Sequence, residues 1–201
     1  MAEQFVHLHL HSDYSLIDGL IRIKPLVSAV SEAGMPAVAL TDQHNFFAAV
    51  KFYSAAINAG IKPILGADLR LRDEADTKGN SRFVVLCQNM IGYHNLCRLL
   101  SRAYIEGQHL GVPMLDFSWL EGQTDGLICI ASSREGLLSK ALLNEQKDEV
   151  NSIVNQWTSL FPDRLYLELM RTGREDDERY IDAALDTAHE FDLPVVATND
   201  V

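Results

Sequence analysis

Three histidines stand at alternate positions near the start of the chain, in the run FVHLHLHSDYS. Side chains in a β-strand alternate between its two faces, so His7, His9 and His11 would share one face of a strand. Same-face neighbours lie about 6.5–7 Å apart at their Cα atoms, which lets imidazole rings converge on one metal ion. Two interpretations compete: a polar strand face with satisfied hydrogen bonds, or a metal site. We expect His9 and His11 to belong to a site and His7 to be structural.

The chain has 201 residues, which is enough for one domain with a substantial core to position these histidines. No apolar run approaches the ~20 residues that span a bilayer, and we expect no secretory signal because no basic region precedes an apolar stretch. The three cysteines lack metal-type spacing, and Cys87 and Cys129 lie in apolar, strand-like runs. We therefore expect reduced thiols, a cytoplasmic location and no membrane partner.

The charge balance limits the possible partners. Lysine and arginine together number 17, aspartate and glutamate number 28, and the net charge is −11. Strong binding to DNA needs clustered basic side chains that displace counterions from the phosphates. We therefore expect no strong DNA binding by this acidic segment alone.

Short apolar runs alternate with amphipathic stretches along the chain. The runs predict strands at 5–10, 37–40, 63–71, 83–87, 127–131, 165–170 and 194–197. The segment 72–81 is predicted to be an exposed hairpin or loop, and 107–122 to be irregular. Five stripes with i, i+3, i+4 spacing predict buried helix faces: Leu26, Val27, Val30 and Ala33; Phe47, Val50, Tyr53, Ala56 and Ile57; Leu96, Leu99, Leu100 and Ala103; Ile153, Val154, Trp157 and Leu160; Tyr180, Ala184, Leu185, Ala188 and Phe191.

Repeated β-α units predict parallel strands, in either a doubly wound sheet or a closed barrel. Polar residues that could do chemistry fall at the carboxyl ends of the predicted strands. A barrel gathers such ends into one ring, whereas an open sheet spreads them along a row. We predict a barrel of about seven strands, whose mouth holds His9, His11, Asp18, Asp42, His44, Asp68, Glu168 and Asp200.

Imidazole and carboxylate ligands together suit Zn²⁺, Mn²⁺ or iron better than Ca²⁺ or Mg²⁺. Several such ligands could hold two or three ions that activate water for phosphoester hydrolysis. Each residue also has an ordinary explanation. Asp18 and Gly19 form a common turn sequence, Asp42 and Asp200 could cap helices, and His44 could lie at the surface.

Six segments, in order, carry a family resemblance: HLHLHSDYSLIDG, ALTDQHN, KFYSAAINAGIKPILGAD, NMIGYHNLCRLLSRAY, LELMRTGREDDERY and PVVATNDV. They resemble the PHP (polymerase and histidinol phosphatase) domain, and more closely the N-terminal region of bacterial DNA polymerase III α subunits of the proteobacterial branch. The resemblance covers residues 1–201. It implies a distorted seven-stranded (β/α) TIM-like barrel, ending inside or just short of the complete domain. It also implies a much longer, Mg²⁺-dependent polymerase whose catalytic carboxylates lie outside this fragment.

Active members of the family carry up to three metals, usually zinc or manganese, and hydrolyse phosphoesters. Carried over residue by residue, the resemblance implies a residual metal site at His9, His11, Asp18, Asp68 and Asp200.

Four positions depart from the family pattern. Gln43 stands where the second motif has a histidine, with His44 one place late, and a neutral amide is a weak zinc ligand. Asp68 replaces a glutamate, and Ser133 replaces a cysteine. Arg82 replaces the histidine that opens the fourth strand, and its fixed positive charge cannot ligate a cation. A guanidinium in this pocket could replace an ion through charge-assisted hydrogen bonds to the carboxylates of Asp18, Asp68 or Asp200.

The leading hypothesis is a domain with little or no hydrolytic activity, which braces the rest of the α subunit and docks the proofreading exonuclease subunit. The alternative is an active metal-dependent phosphoesterase or 3′→5′ exonuclease, supported by the intact His9 and His11 pair and by Asp18, Asp42 and Asp200. The direction in which Arg82 points discriminates between them. A free-standing enzyme like histidinol phosphatase is less favoured, because the segments match the polymerase branch more closely.

Overall fold

The computed structural model describes residues 5–16, 18–72, 81–131 and 135–199. Its eight strands within these ranges are β1 Ala37–Leu40, β2 Lys62–Leu71, β3 Ser81–Cys87, β4 Gln108–His109, β5 Val112–Pro113, β6 Leu127–Ala131, β7 Leu165–Met170 and β8 Val195–Thr198. Six of them form one sheet in the order β1-β2-β3-β6-β7-β8, and β4 and β5 form a separate small hairpin.

The helices in the same ranges are α1 Ile23–Glu32, α2 Ala49–Asn58, α3 Met90–Ile105, α4 Leu137–Leu143, α5 Lys147–Leu160 and α6 Asp177–Phe191. Gly34 and Gly60 follow α1 and α2 with φ of +69° and +73°, the left-handed conformation that commonly ends a helix. Asn89 begins α3 by accepting hydrogen bonds from two backbone N–H groups of the first turn. None of the helices described is both long and apolar enough to span a bilayer.

The main sheet is mixed, so the expectation of parallel strands throughout is wrong. β1 and β2 pair in parallel, as do β6 with β7 and β7 with β8, but β3 runs antiparallel to both β2 and β6. The reason is that only nine positions separate the end of β2 at Leu71 from the start of β3 at Ser81, fewer than the dozen or more residues that a parallel crossover needs. This pairing agrees with the predicted hairpin, although residues 73–80 of that segment lie outside the described residues.

The main sheet curls around an inner apolar cluster. Every strand of the sheet contributes to this cluster, and Leu8 packs into it from the N-terminal segment; its strand members are Ala39, Ile64, Val84, Leu86, Ile128, Ile130, Tyr166 and Val196. The helices cover the outside of the curl through two further clusters. The described part of the chain therefore forms a curled α/β sheet of six strands rather than the predicted seven.

The missing strand is the one predicted at 5–10. The chain bends at Leu8 and His9 and has no strand there, although the carbonyls of His7 and Leu10 accept bonds from the β1 side, from Ala39 N at 2.8 Å and Thr41 N at 2.9 Å. Because of the bend, Leu8 joins the inner cluster whereas Leu10 packs outside the sheet. The predicted regular alternation of faces is therefore wrong.

The prediction of which face of α2 is buried is also wrong. The buried residues of α2 are Ala49, Phe52 and Ala56. The other four members of the predicted stripe are exposed, by 63% at Phe47, 80% at Val50, and 51% at Tyr53 and Ile57. Most residues of the other four predicted stripes do lie in or against the core, with Ala33 and Leu185 exposed. The spacing thus identified α2 as a helix but selected the wrong face.

Candidate metal centre

A cavity of about 550 Å³ opens at one end of the curled sheet. We call it the mouth. Its lining consists of His9, His11, Asp18, Asp68, Arg82, Glu135, Leu143, Met170, Tyr180 and residues 174–177. Asp68 lies late in β2 and Arg82 lies early in β3, and the antiparallel pairing of these strands brings both to the same end of the sheet. Four of the predicted ligand positions therefore meet in one cavity.

Asp68 is the centre of the ionic contacts in the mouth and is 1% exposed. Its Oδ2 lies 3.2 Å from His11 Nε2, 3.5 Å from His9 Nε2 and 3.4 Å from Arg82 Nε. Burial alone would raise the pKa of Asp68, but the close polar contacts of His11 and His9 and the charge of Arg82 hold it well below its usual range. Asp68 is therefore a buried carboxylate whose charge is balanced by neighbouring side chains.

A second buried carboxylate fixes His9. Glu168 Oε1 accepts from His9 Nδ1 at 2.7 Å and from the Thr198 hydroxyl at 2.7 Å, and the Tyr180 hydroxyl donates to the Glu168 backbone carbonyl at 3.1 Å. Burial by itself lowers the pKa of His9, but the charges of Glu168 and Asp68 and their hydrogen bonds raise it to about 10. A carboxylate behind a histidine in this way orients the ring toward the other side, here toward the mouth.

Gln43 and Asp18 form the edge of the mouth. The side-chain amide of Gln43 donates to Asp18 Oδ2, which lies 3.4 Å from His11 Nδ1 and 3.9 Å from Arg82 Nη2. Gln43 thus acts here as a hydrogen-bond donor to a carboxylate.

His9, His11 and Asp68 could hold a metal ion, since one ligand atom from each lies within 4.8 Å of the others. Two imidazoles and a carboxylate match the ligands of zinc or manganese in type and number. The Arg82 guanidinium, however, lies against the same Asp68 oxygen, and its Nη1 is 3.4 Å from Glu135 Oε2. These residues therefore fit an ion only if Arg82 moves away from Asp68.

Two residues of the predicted mouth serve elsewhere. Asp42 accepts hydrogen bonds from Ser12 N at 2.7 Å and from the hydroxyls of Ser12 and Ser15 at 2.8–2.9 Å, so it ties the 12–15 turn to the end of β1. His44 lines a different groove, beside Phe46, and burial lowers its pKa to about 4. The predictions that Asp42 and His44 belong to the mouth are therefore wrong. Two further predicted positions, Ser133 and Asp200, lie outside the described residues.

Glu135 and Tyr180 are residues of the mouth that the sequence analysis did not identify. Glu135 follows β6, so the rule that polar groups at strand ends converge could have included it. Tyr180 lies in α6 within an apolar stripe, and nothing in the sequence separates its hydroxyl from the core around it.

Proteins of known family resemble this chain in sequence. A family model described as the PHP domain matches residues 7–172. The DNA polymerase III subunit alpha of Pseudomonas fluorescens is 45% identical over 201 residues, and those of Vibrio cholerae and Escherichia coli K12 are 44% and 45% identical over 198 residues. These matches cover between 98% and 100% of this chain, which spans only 17% of the length of each relative.

Solved structures share the fold at low sequence identity. A protein of Bifidobacterium adolescentis, described as a candidate metal-dependent phosphoesterase, is 12% identical with a TM-score of 0.66, over 97% of this chain and 86% of its own. An amidohydrolase of Chromobacterium violaceum, solved with bound sulfate and no metal, is 13% identical with a TM-score of 0.61 at the same coverage. Because the family model matches well over half of its residues, this chain belongs to the PHP domain family.

Proposed function

We propose that residues 1–201 form the N-terminal PHP domain of a bacterial DNA polymerase III α subunit, with a degenerate metal site and little or no phosphoesterase activity. In this proposal the domain braces the rest of the α subunit and docks the proofreading exonuclease subunit. The complete protein is then a cytoplasmic, Mg²⁺-dependent DNA polymerase whose catalytic carboxylates lie outside these residues. The identity of 44–45% to such subunits over nearly the whole chain supports this assignment.

The proposed domain is a distorted seven-stranded barrel in which residues 5–10 take the seventh position. On one side this segment bonds to β1, and on the other His9 bonds to Glu168 of β7. Leu8 lies between the two edges of the sheet, within the inner cluster. These contacts are those expected of a segment that closes the curl.

The position of Arg82 is the observation that carries the proposal of a degenerate site. Its guanidinium lies 3.4 Å from the Asp68 oxygen that a metal would need, and it cannot lose its charge. A divalent ion bound to Asp68 would lie close to this fixed positive charge in a largely buried site, where repulsion is weakly screened. Arg82 therefore takes the charge-balancing role of an ion.

The residual ligand positions in this proposal are His9, His11, Asp18, Asp68 and Asp200. Zn²⁺ or Mn²⁺ is the ion that these residual positions could hold, since imidazole and carboxylate donors suit both. The substituted family positions are Gln43, Arg82 and Ser133, and the first two are the ones to change in a test of restoration.

The test is calorimetric titration of the metal-free chain with Zn²⁺ and Mn²⁺. We expect no stoichiometric uptake at micromolar concentration by the unmodified chain, and tighter binding by a variant with both Gln43→His and Arg82→His. Arg98→His, on α3 outside the mouth, is the matched control and should bind no more metal than the unmodified chain. Stoichiometric micromolar uptake by the unmodified chain, together with turnover of p-nitrophenyl phosphate, would contradict the proposal.

A second candidate function is an active metal-dependent phosphoesterase or 3′→5′ exonuclease. The three-ligand group of His9, His11 and Asp68 favours it. In that case the unmodified chain releases nitrophenolate in the presence of Mn²⁺, and His11→Ala abolishes the release. Activity that persists in His11→Ala would identify a contaminating phosphatase.

A further inference from the structure

The outer face of α2 and the turn just before it expose a row of large apolar side chains. Phe47, Val50, Tyr53 and Ile57, which we call the α2 stripe, are each at least half exposed. At a rise of 1.5 Å per residue the helical part of the α2 stripe, from Val50 to Ile57, is about 10 Å long. Single exposed apolar residues are ordinary, but a contiguous row of this kind marks a surface that another part of a protein covers.

Apolar hollows continue the α2 stripe at both ends. At the Phe47 end, a groove of about 460 Å³ runs against α3 and includes Leu100, Tyr104 and Ile105. Ile105 is itself 80% exposed. At the other end, a hollow of about 460 Å³ lies between Tyr53, Ile57 and residues 60–63. The exposed apolar surface is thus larger than the helix face alone.

This surface differs in charge from the rest of the chain. Between residues 43 and 67 the charged side chains are Lys51 and Lys62 only, in a chain whose net charge is −11. A second copy that presented its own α2 stripe would bring like charges together, which disfavours pairing between copies. An apolar surface flanked by lysines instead complements an apolar segment flanked by acidic residues.

We propose that the α2 stripe and its two hollows are covered by a later segment of the same polypeptide, an amphipathic helix with acidic residues beside its apolar face. This inference rests on the part of the proposed function that places residues 1–201 within a longer α subunit. Relatives of that kind are about six times longer than this chain, which spans 17% of each, so their further domains supply ample chain to cover the surface. The inference does not depend on the state of the metal site.

The experiment measures how fast a cysteine in the α2 stripe reacts with a maleimide. Val50→Cys is introduced both into residues 1–201 and into the full-length polypeptide, and modification is followed by peptide mass spectrometry so that the native cysteines are read separately. Asn155→Cys, exposed on α5, is the matched control. For each cysteine we compare the labelling rate in residues 1–201 with the rate in the full-length polypeptide. We expect this ratio to be at least about tenfold larger for Val50→Cys than for Asn155→Cys, because a covered site reacts only when the contact opens.

Each other outcome overturns the inference. Equal slowing at both sites means that the surface stays open in the longer polypeptide. If Val50→Cys in residues 1–201 is labelled more slowly as the concentration of this polypeptide rises, the surface is an interface between two copies. Protection that needs an added separate protein assigns it to a partner in trans. If no longer polypeptide follows residue 201, the proposed function fails as well. If the α2 stripe stays exposed in a longer polypeptide, only this inference fails.

A second variant covers the case in which labelling perturbs the interface. Val50→Asp with Ile57→Asp places two carboxylates on the α2 stripe and should make limited trypsin release residues 1–201 from the full-length polypeptide several-fold faster. The matched change, Asn155→Asp with Ser159→Asp on the exposed side of α5, should leave the rate of release unchanged. Equal release by both variants would contradict the inference.

Discussion

The mouth and the α2 stripe are opposite kinds of surface on one small domain. The mouth gathers residues from distant parts of the sequence, and its buried carboxylates find their countercharges within the chain, in Arg82 and His9. The α2 stripe comes from eleven consecutive positions and has no cover among the described residues. The difference teaches that buried charges can be balanced by side chains from elsewhere in the same domain, whereas an exposed apolar face stays in contact with water until something covers it.

The largest effect that would test this comparison is expected at Asp68. Asp68→Ala removes the buried carboxylate that contacts Arg82 and both mouth histidines, leaving Arg82 with only the more exposed carboxylates of Asp18 and Glu135. Breaking a buried ion pair from one side is strongly destabilising, and we expect a loss of about 5 kcal/mol in the free energy of unfolding. Urea denaturation followed by circular dichroism measures it.

Asp18→Ala is the control for this prediction. Asp18 also contacts Arg82 and His11, but its side chain is 41% exposed. Solvent weakens such pairs, so the expected loss is about 1 kcal/mol or less. Equal losses at Asp18 and Asp68 would show that the mouth is not internally balanced in the way described.

The second effect compares the two faces of α2. Phe52 is fully buried, and Phe52→Ala should lower the free energy of unfolding by about 4 kcal/mol through lost burial and the cavity left behind. Val50→Ala, two positions away on the exposed face, should change it by less than about 0.5 kcal/mol. Urea denaturation of both variants gives the contrast, and a large loss at Val50 would mean that the sequence-based stripe was the buried face after all.

The third effect concerns the carboxylate behind His9. Thr198→Val keeps the shape of the side chain but removes the hydroxyl that donates to Glu168 Oε1 at 2.7 Å. A hydrogen bond to a buried charged group contributes about 2 kcal/mol, so thermal or urea unfolding should report a loss of that size. Thr187→Val removes a hydroxyl that bonds only to a carbonyl one turn earlier in α6, and its loss should be clearly smaller.

The fold was predictable as far as local pattern determines it. Six of the seven predicted strands and all five predicted helices are present, because apolar runs and i, i+3, i+4 spacing report local geometry directly. Strand direction does not follow from the apolar pattern, since the antiparallel β3 has the same apolar composition as a parallel strand. The one signal for it was the short connection at 72–81, predicted to be a hairpin or loop. The bend at Leu8 and His9 is likewise invisible in an alternating sequence.

The site was predictable by residue type and only in part by position. His9, His11, Asp18 and Asp68 lie in one mouth with Arg82, although the segment that carries the two histidines is not the strand that the prediction assumed. Asp42 and His44 also follow a strand end, yet they serve the 12–15 turn and a separate groove, because residues one or two places apart point in different directions. Sequence order alone does not resolve that difference.

The smallest expected effect is a charge placed on the exposed face of α2. Val50→Asp in residues 1–201 should change the free energy of unfolding by less than about 0.5 kcal/mol, because the side chain is 80% exposed and the new carboxylate stays hydrated. The same substitution at Phe52 would bury an unpaired charge and should prevent folding. The α2 stripe therefore contributes little to the stability of the domain that carries it. Large apolar side chains that do not stabilise their own fold are best explained by a contact outside it, and a marked loss of stability in Val50→Asp would remove that reason for proposing one.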